Sequence, residues 1–303
     1  MFKNLKKELG NNKNHKTIDY TEIPEIFWIE DKDLHREEFT KKNGNCCFNH
    51  RIGLPLGKIW PFKKMPILGY EMDIVHNIEE HKNYLLVKAR GIGATELILR
   101  LILYWAVRNE IDNRKFLIIT GIRKDLAQEY IRRILYLCKK IPNVKSRSQN
   151  RIVINRSEII ALPANADSIR GYENVGAIFA DEAAHWNLRN DEPVLEAIEP
   201  HRTKSDAHII IVSTPNGRRG FFANIAHDLE SRYYIEFKPW TVSEGLLIDR
   251  EEVEKIKKDD PYRFEQEFNC QFISTRYAAI PQETIKIAEA MAEDYALEDF
   301  GFE

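Results

Sequence analysis

The chain has 303 residues, of which 43% are hydrophobic and 30% charged, and its 45 basic side chains nearly balance 47 acidic ones. This length allows one large α/β domain or two smaller ones. The net charge of −2 excludes a uniformly basic coat for nucleic acid, and four cysteines are too few for a disulfide scaffold. The N-terminus lacks the apolar segment of a secretory signal, and the longest apolar stretch, residues 97–107, is too short to span a membrane.

Composition divides the chain into three parts. Residues 1–20 are expected to form a polar leader, and residues 21–275 a single domain. The first part of that domain, residues 21–75, is rich in proline, glycine and aromatic residues without a clear period, so we expect irregular structure packed on the domain. Residues 276–303 are expected to form an acidic helical tail or linker.

Beyond residue 75, short apolar runs alternate with amphipathic stretches. The pattern predicts four strands, two helices and a hairpin: strands 84–87, 115–120, 175–180 and 208–212, helices 96–109 and 124–140, and hairpin 152–154 with 159–162. Strands that are apolar on both faces and separated by helices indicate a mainly parallel sheet with helices on both faces. In such a sheet, ligands bind beyond the carboxyl ends of the strands, which is where three polar motifs fall.

The first motif, residues 88–95, reads KARGIGAT and joins a strand to a helix. The standard phosphate-binding loop is G-x-x-x-x-G-K-[ST], in which glycines expose backbone amides, lysine neutralises phosphate and Ser/Thr binds Mg²⁺. Gly93 and Thr95 match this pattern, whereas Ala94 replaces the lysine and Lys88 replaces the first glycine. We interpret Lys88 as a lysine displaced to the front of the loop. A glycine turn that binds no ligand is the alternative.

The second motif is the carboxylate pair Asp181-Glu182 at the end of an apolar strand. Successive strand residues point in different directions, so the two carboxylates suit different roles, one at a metal ion and one at a water molecule. The third motif, Ser213-Thr-Pro-Asn-Gly217, places two hydroxyls at the end of another strand, where they can sense a terminal phosphate. Each motif alone is equally typical of a solvated turn.

In this order the three motifs resemble the ATPase domain of large terminase subunits, the motors that package DNA into the heads of tailed phages and related viruses. The likeness covers about residues 50–275. A lysine at the front of the loop, an acidic box like residues 181–185 and a coupling motif like residues 213–217 all occur in that family. Looser matches are Leu162-Pro-Ala-Asn165, Arg170-Gly171 and Phe264-Glu-Gln-Glu-Phe268 followed by Phe272.

The resemblance implies a RecA-like, ASCE-type P-loop NTPase fold and an ATPase that uses ATP and Mg²⁺. It also implies that the partners are double-stranded DNA, a portal protein and a small terminase subunit. It further implies a homo-oligomeric ring on assembly, which allows a monomer in solution, and a location in the host cytoplasm with no membrane contact.

The resemblance also assigns residues to roles. The residues assigned to phosphate contacts are Lys88, Arg90, Gly91, Ile92, Gly93, Ala94 and Thr95. The Mg²⁺ site is assigned to Thr95 and Asp181, and water activation to Glu182. Ser213 and Thr214 are expected to couple hydrolysis to motion. Arg90 is the candidate arginine finger in cis, and Arg170 the candidate in trans. An adenine platform is expected upstream of the loop, with Trp60, Phe62 and Tyr70 available.

A basic segment is the candidate DNA contact. Residues 121–156 contain ten Lys or Arg against two acidic residues, a local excess inside a chain of net charge −2. A motor that grips any sequence should use phosphate contacts rather than base contacts. The candidate residues are Arg132, Arg133, Lys139 and Lys140. A solvated helix surface is the alternative.

Two departures from the family pattern keep other interpretations open. With Ala94 in the loop, a non-catalytic module that binds nucleotide or only DNA is one alternative. Residues 181–185, DEAAH, also resemble the helicase box DEAH with one inserted alanine, although no second helicase lobe with its arginine motif follows residue 215.

Large terminases carry a C-terminal nuclease, and 31 residues after Phe272 are too few for one, so we expect no DNA cleavage by this chain. We assign no metal to Cys46, Cys47 and His50, because their spacing does not suit zinc.

Overall fold

The structure is a computed structural model that describes residues 69–108, 115–121, 123–137, 144–154 and 156–273. It opens with helix α1, Gly69–Glu80, in which Ile74, Val75 and Ile78 are fully buried. This helix begins inside the segment that we expected to be irregular. Its buried residues lie about one turn apart and so form one apolar face, which packs against the first strand and the second helix. The predicted leader 1–20 and tail 276–303 lie outside the described residues.

The first half of the described chain alternates strands and helices as predicted. Its elements are β1 Asn83–Lys88, α2 Ala94–Arg108, β2 Lys115–Thr120, α3 Lys124–Leu137, β3 Val144–Ser148, β4 Arg151–Ile154, β5 Ser157–Pro163, α4 Ala166–Ile169 and β6 Val175–Asp181. The predicted hairpin is confirmed as β4 and β5, which pair antiparallel.

The second half adds two strands and five helices to the described chain. They are α5 Asp191–Ile198, α6 Pro200–Ser205, β7 His208–Ser213, α7 Gly220–His227, β8 Tyr234–Lys238, α8 Arg250–Asp259 and α9 Pro261–Glu267. Within the described residues, no helix is both long and apolar enough to cross a bilayer.

The eight strands of the described chain form one sheet in the order β3-β4-β5-β2-β6-β7-β1-β8. All pairs from β5 to β8 are parallel, and β3 and β4 extend one side as antiparallel strands. Every residue of β6 is buried, so the centre of the sheet is covered on both faces. The predicted mainly parallel α/β sheet is confirmed.

Two strands escaped prediction because of where they lie in the sheet. β3 and β8 are the outermost strands, so neither forms the continuous apolar run that a buried parallel strand requires. The sequence of β3, VKSRS, is mostly exposed, and β8, YIEFK, alternates without an apolar core of its own.

The strand order decides which motifs meet. β7 lies between β1 and β6, so the end of β7 separates the glycine loop after β1 from the acidic pair after β6. Because all three strands are parallel, their carboxyl ends open at the same edge of the sheet. The three motifs are therefore assembled side by side.

Candidate functional site

The loop between β1 and α2 exposes backbone donors at the start of a long helix. Gly91 and Gly93 have φ of +84° and +78°, a conformation that favours glycine. A Cβ at Gly93 would lie 3.1 Å from Glu71 Oε1 and 3.3 Å from Leu247 Cδ1, so this glycine is also closely packed. Among the described residues, the N–H groups of Gly91, Ile92 and Gly93 donate no backbone-to-backbone hydrogen bond. Free N–H groups at a helix N-terminus are the donors that bind anions.

A cavity of about 500 Å³ lies in front of this loop. Its volume is within the range of small-molecule and cofactor sites. Its lining is strongly charged, and consists of Lys88, Arg90, Gly91, Ile92, Gly93, Ala94, Thr95, Glu96, Arg133, Glu182 and His185. All the residues that we predicted as phosphate contacts line this cavity, together with the predicted base.

Lys88 and Glu182 form an ion pair in this cavity. Lys88 Nζ lies 2.9 Å from Glu182 Oε1, and the lysine side chain is only 6% exposed. Burial alone would raise the pKa of Glu182, but the Lys88 ammonium overcomes this effect and holds the pKa below its ordinary value. Glu182 has φ of +51°, the left-handed conformation, and the extended strand ends one residue earlier, at Asp181. The displaced lysine thus points into the site.

A hydrogen bond pairs the hydroxyl of the partly buried Thr95 with the carboxylate of the buried Asp181. Thr95 Oγ1 donates to Asp181 Oδ2 at 3.0 Å, and Tyr130 on α3 also donates to this oxygen. Burial, with the nearby Glu182 charge as a smaller cause, raises the pKa of Asp181. A hydroxyl beside a carboxylate is the donor set that Mg²⁺ takes in phosphate-binding sites, where phosphate and water complete its octahedron. These residues therefore fit the magnesium role that we predicted for them.

Hydrogen bonds join the end of β6 to the end of β7. Ser213 Oγ accepts from Ala184 N at 3.2 Å, and its single O–H is within donating distance of Thr214 O at 2.8 Å and of Glu182 Oε2 at 3.3 Å. Thr214 Oγ1 lies 2.8 Å from His185 Nε2, whose pKa is lowered by burial. Both hydroxyls, which we expected to sense a terminal phosphate, therefore contact residues that directly follow β6.

Arg90 occupies the rim of the cavity and connects the loop to α9. Its Nε lies 3.1 Å from Glu267 Oε2, and its backbone N–H donates to Glu267 O at 2.7 Å. On the same helix, Gln266 Oε1 accepts from Gly217 N at 3.2 Å, in the turn after β7. The motif at residues 264–268 therefore supports both the loop and the coupling turn.

Arg170 lies apart from the cavity. It follows α4, its exposed side chain is 3.7 Å from Asp167 Oδ1, and it does not line the cavity. Its position on the surface is compatible with presentation to a neighbouring subunit and gives it no contact with this site.

The DNA-binding candidates separate in the structure. Arg132 is exposed and pairs with Glu129, whereas Arg133 turns inward, pairs with Glu96 and lines the cavity. Arg133 therefore does not belong to an outward basic surface, because adjacent helix residues point about 100° apart. Lys139 and Lys140 lie outside the described residues.

The predicted adenine platform is described at one position. Tyr70 is buried, and its hydroxyl donates to Ile92 O at 2.8 Å, so it supports the loop from inside the core. Trp60 and Phe62 lie outside the described residues, as do Cys46, Cys47 and His50. Among the described residues, no group of three or more His, Cys, Asp or Glu side chains is placed to hold a metal ion.

Sequence reasoning missed three residues of this site. Tyr130 contacts the acidic strand, Glu96 binds Arg133 beside the loop, and His185 contacts the coupling motif. A signal for the α3 contribution was present, because Tyr130 and Arg133 lie three residues apart and so share one helix face. The sequence did not show which part of the protein this face of α3 packs against.

The sheet and its loop define the class of this protein: it has the RecA-like fold of P-loop NTPases. Residues 85–287, more than half of the chain, match the family model described as "Terminase large subunit, T4likevirus-type, N-terminal". The chain therefore belongs to the large terminase family, as the sequence motifs indicated. None of the curated proteins compared with the sequence matches it.

Solved structures of large terminases share this fold. The large terminase ATPase domain of Thermus phage P74-26 is 17% identical with a TM-score of 0.54, and the alignment covers 78% of this chain and 98% of that one. The HK97 bacteriophage large terminase is 14% identical with a TM-score of 0.58, and the alignment covers 71% of this chain and 52% of that one. The large terminase of another thermophilic bacteriophage, solved in complex with ADP, is 13% identical with a TM-score of 0.51, covering 64% and 49%. This chain thus spans about half the length of the last two chains.

Proposed function

We propose that this domain binds ATP with Mg²⁺, hydrolyses ATP and uses the reaction to move double-stranded DNA into a viral procapsid. The observation that carries the proposal is the meeting of the Lys88–Glu182 ion pair and the Thr95–Asp181 hydrogen bond in one cavity. Membership of the large terminase family supports it. The structure of a thermophilic bacteriophage large terminase in complex with ADP supports a nucleotide as the ligand.

In this proposal, the loop supplies charge and donors to the phosphates. The backbone N–H groups of residues 91–95 and the Lys88 ammonium bind phosphate oxygens. Thr95 and Asp181 would hold Mg²⁺, which would supply positive charge to phosphate oxygens. Since Lys88 is paired with Glu182 in the structure, phosphate binding exchanges one anionic partner of Lys88 for another.

Glu182 acts as the general base for the attacking water. While Lys88 is paired with it, the pKa of Glu182 is lowered and the carboxylate is a weak base. When Lys88 moves to phosphate, the pKa of Glu182 rises and the carboxylate accepts a proton more readily. Ser213 Oγ keeps the second carboxylate oxygen in place. The base is thereby activated by the arrival of its substrate.

Ser213 and Thr214 couple hydrolysis to movement. They contact Glu182 and His185 at the end of β6, so a change at the base displaces the turn after β7. That turn contacts α9 through Gln266, which extends the connection to the C-terminal part of the domain. Arg90 is the proposed finger in cis, and Arg170, on the surface, is the proposed finger supplied to a neighbouring subunit of a ring.

Double-stranded DNA is the proposed cargo, held through its backbone. Exposed basic residues on α3 and β3 support this role: they include Arg132, Lys145 and Arg147. Phosphate contacts of this kind weaken steeply with salt. DNA binding that stays constant between about 50 and 200 mM salt would therefore contradict the proposal. The portal protein, the small terminase subunit and the host cytoplasm complete it as the expected partners and location.

ATP turnover by the chain, with and without DNA, tests the proposal. We expect Glu182→Gln to bind ATP but to lower turnover by about 10²–10⁴-fold, because it keeps the shape of the side chain and removes the base. Glu192→Gln, an exposed change on α5, is the matched control and should leave turnover unchanged. A wild-type protein without turnover in the assembled motor would favour the non-catalytic alternative. Strand separation would favour the helicase alternative.

The expectation that this chain does not cleave DNA stays a prediction. Metal-dependent nicking of plasmid DNA that persists in Glu182→Gln would contradict it, since such cleavage would be independent of the ATP site.

A further inference from the structure

Glu96, in the first turn of α2, pairs with two arginines. Arg100 Nε lies 2.9 Å from Glu96 Oε1, and Arg133 Nη2 lies 2.6 Å from Glu96 Oε2. One negative charge therefore faces two positive charges, which leaves a surplus cation beside the loop.

The two arginines differ in what else they face. The Arg100 side chain is 5% exposed and lies one turn along the same helix, enclosed by the core. The Arg133 side chain reaches Glu96 from α3, is 31% exposed and lines the cavity in front of the glycine loop. Arg133 is therefore able to turn toward the cavity without leaving Glu96 unpaired, because Arg100 stays.

Arg90, the other arginine of the cavity, has the same arrangement. Its carboxylate partner, Glu267, is shared with Arg263, whose Nε lies 3.1 Å from Oε2. Each cavity arginine thus shares its anion with a second arginine outside the cavity. An arginine that shares its carboxylate is held less firmly than one with a carboxylate of its own. The second arginine still neutralises the carboxylate after the first has moved away.

The contact of Arg133 with Tyr130 places it near the predicted metal ligand Asp181. Its guanidinium carbon lies 5.6 Å from the centre of the Tyr130 ring, and the Tyr130 hydroxyl donates to Asp181. Tyr130 and Arg133 lie about one turn apart on α3, so the contact of Tyr130 with the acidic strand sets the reach of Arg133 into the cavity.

We propose that Arg133 is a polyphosphate-binding residue, whose guanidinium exchanges Glu96 for oxygens of the bound nucleotide. The inference rests on the proposed function, because it requires a nucleotide in this cavity. A planar guanidinium donates two parallel N–H groups in a fixed geometry that matches two phosphate oxygens, whereas an ammonium acts as a point charge. Arg133 thereby supplies, from a different helix, positive charge to a loop that has Ala94 at the usual lysine position.

Titration of the full chain with a fluorescent ATP analogue and Mg²⁺ tests this inference. We expect Arg133→Gln to raise the Kd for the analogue about tenfold. This corresponds to one charge-assisted hydrogen bond to phosphate, reduced by the Glu96 ion pair that the wild type gives up on binding. Arg133→Lys keeps the charge but loses the two-oxygen geometry, so we expect a rise of about threefold. Arg232→Gln is the matched control, because Arg232 is exposed, pairs with the carboxylate of Glu199 and does not line the cavity. Its Kd should equal that of the wild type.

Thermal unfolding of the same variants separates binding from a purely structural role. A lower melting temperature of Arg133→Gln with an unchanged Kd would overturn the inference and leave Arg133 as a support for α3. If Arg133→Gln does not fold, the Kd of Arg133→Lys decides, and a wild-type value overturns the inference. A wild-type chain that binds no nucleotide would instead refute the proposed function itself.

Discussion

Thr95 Oγ1, in the first turn of α2, donates a hydrogen bond to Asp181 Oδ2 at the end of β6 at 3.0 Å. This hydrogen bond joins the helix that follows the glycine loop to the acidic strand. The Tyr130 hydroxyl donates to the same carboxylate oxygen, so α3 is held to the pair as well. A metal ion at this position would replace a hydrogen bond that the protein has already oriented.

Thr95→Ala should raise the Mg²⁺ concentration needed for half-maximal ATP turnover, whereas Thr95→Ser should remain close to the wild type. Alanine removes the hydroxyl ligand, and serine keeps it. The measurement is ATPase activity across a Mg²⁺ titration at fixed ATP. We expect the half-maximal concentration for alanine to rise about tenfold, as for the loss of one ligand or its support. Equal titration curves for the two variants would show that the hydroxyl does not bind the metal.

Lys88→Ala should lower ATP turnover by at least about 100-fold, because the loop then lacks the cation that neutralises the transferred phosphoryl group. Lys82→Ala is the matched control. Lys82 precedes β1 and pairs with Asp206 at the opposite edge of the sheet from Lys88. Turnover of Lys88→Ala at the wild-type rate would refute the assignment of the displaced lysine.

Gly93→Ala should destabilise the fold more than Gly171→Ala. Both glycines have positive φ, at +78° and +97°, so alanine costs about 1 kcal/mol at each. A Cβ at Gly93 also meets Glu71 and Leu247, whereas a Cβ at Gly171 meets nothing within 4 Å. We expect an additional loss of about 1–2 kcal/mol at Gly93, measured by urea unfolding. Equal losses at both positions would mean that Glu71 and Leu247 move aside.

His208 should make the stability of the fold depend on pH. Its Nδ1–H donates to Ile78 O at 3.1 Å, and burial lowers its pKa to about 4. In the unfolded chain the pKa is about 6.5, so between these values the unfolded state binds a proton that the folded state does not. Stability is therefore complete above about pH 6.5 and is lost as the pH falls toward 4.

Comparison with His208→Asn measures this contribution, since asparagine keeps an N–H donor and does not titrate. Between pH 7 and pH 5 the wild type should lose about 2 kcal/mol more of its free energy of unfolding than the variant. Urea unfolding at several pH values provides both curves. Parallel curves would show that the His208 ring accepts a proton in the folded state as readily as in the unfolded chain.

The sequence was sufficient for the elements that obey one strong rule. The central strands are apolar on both faces, and the motifs follow them directly, so the strand ends and the residues Lys88, Thr95, Asp181 and Glu182 were predictable together. What it did not contain was the lateral order of the strands. The position of β7 between β1 and β6, which brings Ser213 to Glu182, follows from the packing of the whole sheet.

The contribution of α3 shows most clearly what could not be predicted from the sequence. Arg132 and Arg133 are identical in type and adjacent in sequence, and charge counting placed both on one basic surface. The structure separates them, because one of two neighbouring helix residues faces solvent and the other faces Glu96. Which of the two turns inward depends on how α3 is rotated against α2, and that rotation is set by tertiary contacts of residues far apart in the chain.

The burial of Lys88 has a consequence for how an inactive form should be made. Deleting the whole Glu182 side chain, as in Glu182→Ala, would strand an ammonium that is shielded from water, and such an orphaned cation is strongly destabilising. A triphosphate entering the cavity would then take over the missing counter-charge, a form of chemical complementation. The melting temperature of Glu182→Ala should accordingly rise more on nucleotide addition than that of the wild type, so that this variant becomes the more sensitive reporter of nucleotide binding.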